Sequence, residues 1–205
     1  MGMFDSVVSE EREKAIKQKQ LEQEKSKRQE EHQRKEDKIK ESLFPYIESA
    51  LDEYPSAVGK IRQARKARMS KKALFGGEKF FWGAGWSLLG ASSEAAYKSL
   101  FLVDKDGKAY VYDYAVGSRP YEGYDTDYHY YRQISKQEAI EKVADNLISL
   151  MKGGPVWTDR YTDPPRSYTL SNGLSDVYDE MISGRYKNAV YKLFEFSLRI
   201  SNKNR

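Results

Sequence analysis

Asp125, Asp127 and His129 stand at i, i+2 and i+4 in the run "YDTDYHYY". In an extended strand that spacing puts two carboxylates and an imidazole on one face, the smallest set with which a divalent metal could be held. No second ligand segment accompanies them, so the plainer reading is a polar loop running into a strand. The other histidine, His32, lies in a run of charge and reads as solvated. The chain has no cysteine, which excludes disulfides, thiolate zinc sites, iron–sulfur clusters and cysteine nucleophiles. A serine hydrolase would have to use His129 as its only base, and the GxSxG elbow is absent. The phosphate-cradling GxxxxGK[ST] loop is absent too, and no cofactor is expected.

A second constellation is electrostatic. Lys60, Arg62, Arg65, Lys66, Arg68, Lys71 and Lys72 crowd into "KIRQARKARMSKK", and no acid lies between Glu53 and Glu78. Read at 100° per residue after a break at Pro55, this segment is a short helix with Ala57, Val58, Ile61 and Ala64 on one face. Arg65 and Arg68 project onto that same face one turn later. Such a patch suits the phosphates of nucleic acid or an acidic protein surface. The alternative is that the cations merely complement the negative end of the helix dipole.

The third constellation is aromatic, since residues 109–133 hold eight of the sixteen tyrosines. Tyr110, Tyr112 and Tyr114 alternate with other residues, and Tyr128 and Tyr130 repeat the pattern after a loop carrying Tyr121 and Tyr124. A strand would place each set on one face, where the rings pack and the hydroxyls meet water. The reading is sheet paving first and a recognition surface formed by Tyr112, Tyr114, Tyr121, Tyr124, Tyr128 and Tyr130 second. Against nucleic acid at that spot, "YEGYDTDY" is acidic and repels phosphate.

These residues must be positioned by the elements around them. From Ser9 to Ser42 the chain carries ten acidic and eleven basic residues against four apolar ones. Pairs such as Glu24/Arg28 and Glu36/Lys40 stand in the favourable i to i+4 order, so residues 1–42 are read as a charged, solvated helical arm. Four apolar residues make no a/d seam, and a homo-oligomer through this helix is not expected. Leu43, Phe44, Ile47, Ala50, Leu51 and Tyr54 then form an amphipathic stripe, and here a globular body, 43–205, begins.

"KSLFLVDKDGKAYVYDYAV" reads as a hairpin, with strands 100–103 and 108–115 about a turn containing Asp104 and Gly107. Ser135 with Glu138 opens a helix as a capping box, and Gly153, Gly154 and Pro155 stop it, giving 136–152. Residues 156–173 read as irregular. A helix over 174–191, interrupted near Gly184, and a final strand from the alternation of Phe194, Phe196, Leu198 and Ile200 complete the body. The expected fold is α+β, an antiparallel sheet with packed helices, preceded by the long charged helix.

No apolar run is long enough to span a bilayer, and "MGMFDS" matches a myristoylation spacing only as a short pattern. With no secretory leader, a cytoplasmic location is expected. The arm sums to zero charge, so the body holds all of the net +4. The expected function is non-catalytic binding, as an adaptor, inhibitor or regulator acting on a protein partner. A nucleic-acid-binding module using segment 60–72 ranks second, and a metal-dependent enzyme around His129 third. The motifs carry no resemblance to a known family.

Overall fold

The computed structural model describes the backbone of residues 3–90, 99–118, 125–159, 166–168 and 173–200, and the side chains of 17–89, 100–113, 129–156 and 173–199. The chain falls into two units, Met1–Glu41 and Ser42–Arg205. Helix α1, Met3–Gly59, starts in the first and ends in the second. In the first unit, Arg28 meets Glu24 at 2.7 Å, one of the i to i+4 pairs expected of so charged a helix.

In the second unit the same helix becomes a core element. Leu43, Ile47, Ala50, Leu51, Tyr54 and Val58 are buried at spacings of three and four, a single stripe. Pro55 does not interrupt it, contrary to the sequence reading. A proline removes one i to i−4 hydrogen bond and costs about 3 kcal/mol or more in a helix interior. Full burial of Leu51, Tyr54 and Val58 around that turn offsets this, at about 1.5–3 kcal/mol for each large apolar side chain.

The basic segment is not a second helix. It forms strand β1, Arg65–Lys72, paired antiparallel with β2, Glu78–Gly90. Ala67 and Met69 are buried at a two-residue period, Ser70 is buried on the opposite parity, and the cations stand between and beyond them. The helical reading failed because long basic side chains hide so short an alternation.

Strands β3, Ser99–Asp104, β4, Ala109–Ser118, and β5, Asp125–Gln133, follow in sequential neighbouring order. The turn between β3 and β4 takes the expected chemistry. Asp104 Oδ1 accepts from the backbone N–H groups of Asp106 and Lys108, both at 2.9 Å, and Gly107 adopts φ 77°.

The sheet is not purely antiparallel, and it closes. β1 pairs β5 in parallel through Met69 with Tyr131 and Ser70 with Arg132, making a five-stranded barrel. Strand direction alternates along a meander, so the fifth strand runs the same way as the first and the closing pair must be parallel. Ala67, Met69, Leu102, Tyr110 and Tyr131 fill the interior, with Phe81 and Tyr112 packed against them. The narrow lumen demands small residues opposite large ones. A Cβ at Gly83 would lie 2.3 Å from Met69 Sδ, and one at Gly85 would lie 2.8 Å from the Val103 carbonyl oxygen.

Helix α2, Lys136–Met151, opens on Ser135, whose hydroxyl accepts from the Glu138 N–H at 3.0 Å, and it buries Ala139, Ile140, Val143, Ala144 and Leu147. The stretch read as irregular contains a small two-stranded sheet, β6, Trp157–Asp159, with β7, Arg166–Tyr168.

Helices α3, Ser175–Ile182, and α4, Tyr186–Ile200, are separated at Gly184, φ 71°. The expected final strand is therefore the second half of α4. Val190, Leu193, Phe194 and Ser197 recur at helical spacing, and Ser197, which falls between the alternating apolar residues Phe196 and Leu198, is fully buried. Its hydroxyl accepts from the Leu89 N–H at 2.9 Å, where Leu89 takes the unusual φ of 49°. Tyr54 donates to the Ser87 carbonyl at 2.8 Å, which ties α1 to β2 beside it, and burial raises its pKa.

Candidate binding surface

Alternation along β1 divides the seven candidate cations. Ala67 and Met69 point into the barrel, so Lys66, Arg68 and Lys72 lie on its outside, while Arg65 and Lys71 share the inward parity toward the two ends of the strand. Lys60 sits in the turn after α1 and is exposed. Arg62 is half-buried and serves the fold: its carbonyl accepts from Trp86 Nε1 at 3.0 Å, and burial lowers its pKa. The run of charge thus splits into a structural entry and an outward-facing strand.

Register builds the surface from there. Arg68 stands opposite Trp82, Ser70 opposite Phe80 and Lys72 opposite Glu78. The Arg68 guanidinium lies 4.7 Å from the Phe80 ring centroid, within cation–π range. Tyr130 of β5 meets Phe80 edge-on at 5.0 Å and 85°. Trp82 is 76 % exposed, although aromatic side chains of that size are ordinarily mostly covered. The outer face of β5, β1 and β2 therefore interleaves rings with cations. Arg132 adds a further cation, paired with Asp113 at 3.2 Å. An open cleft of about 470 Å³, lined by Lys71, Lys72, Arg132 and the start of α2, borders this face.

The tyrosines divide as well. Tyr110 and Tyr112 share an inward face as the alternation required, but that face is the barrel lumen rather than a half-wet sheet. Tyr112 meets Tyr131 edge-on at 6.0 Å, and Tyr110 meets Phe81 at 6.5 Å. The Tyr110 hydroxyl donates to Asp104 Oδ2 at 3.0 Å, and its pKa is raised, first by burial and then by that carboxylate. Tyr130 faces outward, its pKa raised by burial and then by Asp113 and Glu78. Tyr114 and Tyr128 stand on β4 and β5 opposite His129 and Ala115, with side chains outside the described set. Tyr121 and Tyr124 lie outside the described residues altogether.

The candidate metal ligands sit along β5, where Asp125, Asp127 and His129 pair with Ser118, Val116 and Tyr114. The side chains of Asp125 and Asp127 lie outside the described set. His129 Nδ1 is hydrogen-bonded to the Tyr112 hydroxyl, the two rings stacked at 5.7 Å. Among the described residues no group of three His, Cys, Asp or Glu could hold a metal ion.

Sequence reasoning missed Leu74, Phe75, Phe80 and Trp82. A signal was present: in "KKALFGGEKFFW" a Leu–Phe pair precedes Gly–Gly, at a turn that polar residues ordinarily fill. Comparison with protein-family models, with characterised proteins and with solved structures finds no match.

Proposed function

We propose that this protein is a non-catalytic binding protein, an adaptor, inhibitor or regulator, that engages an anionic partner through the outer face of β1 and β2. One observation carries the reading: Trp82 stands exposed opposite Arg68, which itself lies over Phe80, so that rings and cations alternate across neighbouring strands. Tryptophan and arginine are among the residue types enriched at the hot spots of protein interfaces. An acidic protein surface is the favoured partner.

A second reading, single-stranded nucleic acid, rests on the same rings, because bases stack on exposed aromatics while cations follow the phosphates.

Capture from native lysate on the immobilised protein, with and without nuclease, tests both. Salt-sensitive capture that is lost when Lys66 and Arg68 are both changed to Glu is the expected result. Capture that nuclease abolishes assigns the face to nucleic acid. Capture indifferent to salt and to both charge reversals removes the proposal.

A further inference from the structure

The apex of the β1–β2 hairpin is a separate feature from its outer face. All ten residues 71–80 are exposed, and at the turn Leu74 is 98 % and Phe75 101 % exposed. The turn itself is well defined. Ala73 N–H donates to the Gly77 carbonyl at 3.1 Å and Gly76 N–H to the Ala73 carbonyl at 3.3 Å, with Gly76 and Gly77 at φ 89° and 80°. Glycine takes that left-handed backbone without cost, so the chain reverses sharply and leaves Leu74 and Phe75 at the tip. Two apolar side chains are therefore held in water by an ordered scaffold.

Charge surrounds them. Lys71 and Lys72 precede the tip and Lys79 follows it, with Glu78 the one acid among residues 71–80. The register pairs Lys72 with Glu78 and Lys71 with Lys79, so Lys72 lies one rung, and Lys71 and Lys79 two rungs, behind the Ala73–Gly77 pair that closes the turn, at about 3.4 Å per rung. An apolar element buried about 5–10 Å at the headgroup boundary, with cations among the headgroups behind it, is the geometry of interfacial membrane binding. We infer that the Leu74–Phe75 apex inserts into an anionic lipid surface, with Lys71, Lys72 and Lys79 at the level of the lipid phosphates.

The apolar tip selects this occupant. A nucleic-acid strand offers no apolar medium for Leu74, which has no ring for a base to stack on, whereas acyl chains accept Leu and Phe alike. The inference concerns the tip, and it shares Lys72 with the outer face carrying Arg68 and Trp82.

The test is sedimentation of the full chain with vesicles of phosphatidylcholine, with and without phosphatidylserine, alongside binding to a single-stranded oligonucleotide. Binding to the phosphatidylserine vesicles is expected, weakening by about fivefold for each of Lys71, Lys72 and Lys79 changed to Gln. Leu74→Ala with Phe75→Ala together should reduce it by about 10- to 100-fold. Both side chains are fully exposed, so the thermal midpoint of that variant should match the parent and exclude unfolding as the cause. Because the chain has no cysteine, Phe75→Cys accepts a single environment-sensitive fluorophore, whose emission should shift to the blue on vesicle addition. Equal binding by parent and Ala variant, a dye that stays in water, or no vesicle binding at low salt overturns the inference. Oligonucleotide binding that survives while vesicle binding is absent likewise overturns it and leaves the outer-face proposal standing.

Discussion

Glu180 shows how one residue couples two helices. It projects from α3, and its carboxylate accepts from Lys192 Nζ at 2.6 Å and from Arg185, with Asn188 at 3.5 Å. These donors hold its pKa down to about 2. An unfolded glutamate titrates near ~4.3, so the folded chain keeps the carboxylate charged where the unfolded chain has protonated it. The resulting stability is fully present above the unfolded value and is lost as pH falls toward the folded one. Glu180→Gln should therefore lower the thermal midpoint at neutral pH, and its curve should converge on that of the parent between about pH 4.5 and 2. Two parallel curves over that range would show that the carboxylate's charge is not what joins α3 to α4. Ser197 makes a related point at the same scale: a buried hydroxyl holding the Leu89 N–H decides how α4 meets β2, and nothing in its spacing distinguishes it from a surface serine.

Among the elements, the barrel depends on glycines where a side chain would collide. The contact at Gly83 is with the mobile end of Met69, whereas at Gly85 it is with the Val103 backbone. Gly85→Ala should accordingly destabilise the body by about 1–3 kcal/mol in chemical denaturation, and Gly83→Ala by less, since a thioether can move and a paired strand cannot. Equal costs would mean that the strands yield as readily as a side chain. The elements that could be read from sequence alone were those with one uninterrupted apolar period, the stripe from Leu43 and the capped helix after Ser135, and the β3–β4 turn, which Asp104 and Gly107 mark by their turn chemistry. Strand β1 escaped because its apolar face is only Ala67 and Met69 between cations, and the end of α4 because Phe194 and Phe196 alternate while a buried serine passes for polar surface. Closure escaped for a different reason. It depends on five successive strands meeting, and no local pattern encodes that Met69 lies beside Tyr131. The binding surface was half legible: the cations were visible as composition, but their alternation, and the rings between them, required the strand register.

For the molecule as a whole, the question is what the first unit contributes to the second. Among the described residues no helix is long and apolar enough to cross a membrane, so α1 is not a bilayer anchor of that kind. Its first unit, Met1–Glu41, carries the balanced charge, while the apolar stripe starts at Leu43. Pro45 lies in the second unit and has no N–H to donate. Deleting residues 1–40 would leave Ser42 placed to cap the shortened helix and Pro45 in its first turn, where a missing donor costs nothing. The buried residues Leu43, Ile47, Leu51, Tyr54 and Val58 all remain. The truncated chain is expected to keep the thermal midpoint of the full chain within a few degrees, the shift that about 1 kcal/mol produces in a domain of this size. A large cooperative loss of stability would show instead that the first unit is part of the folded body.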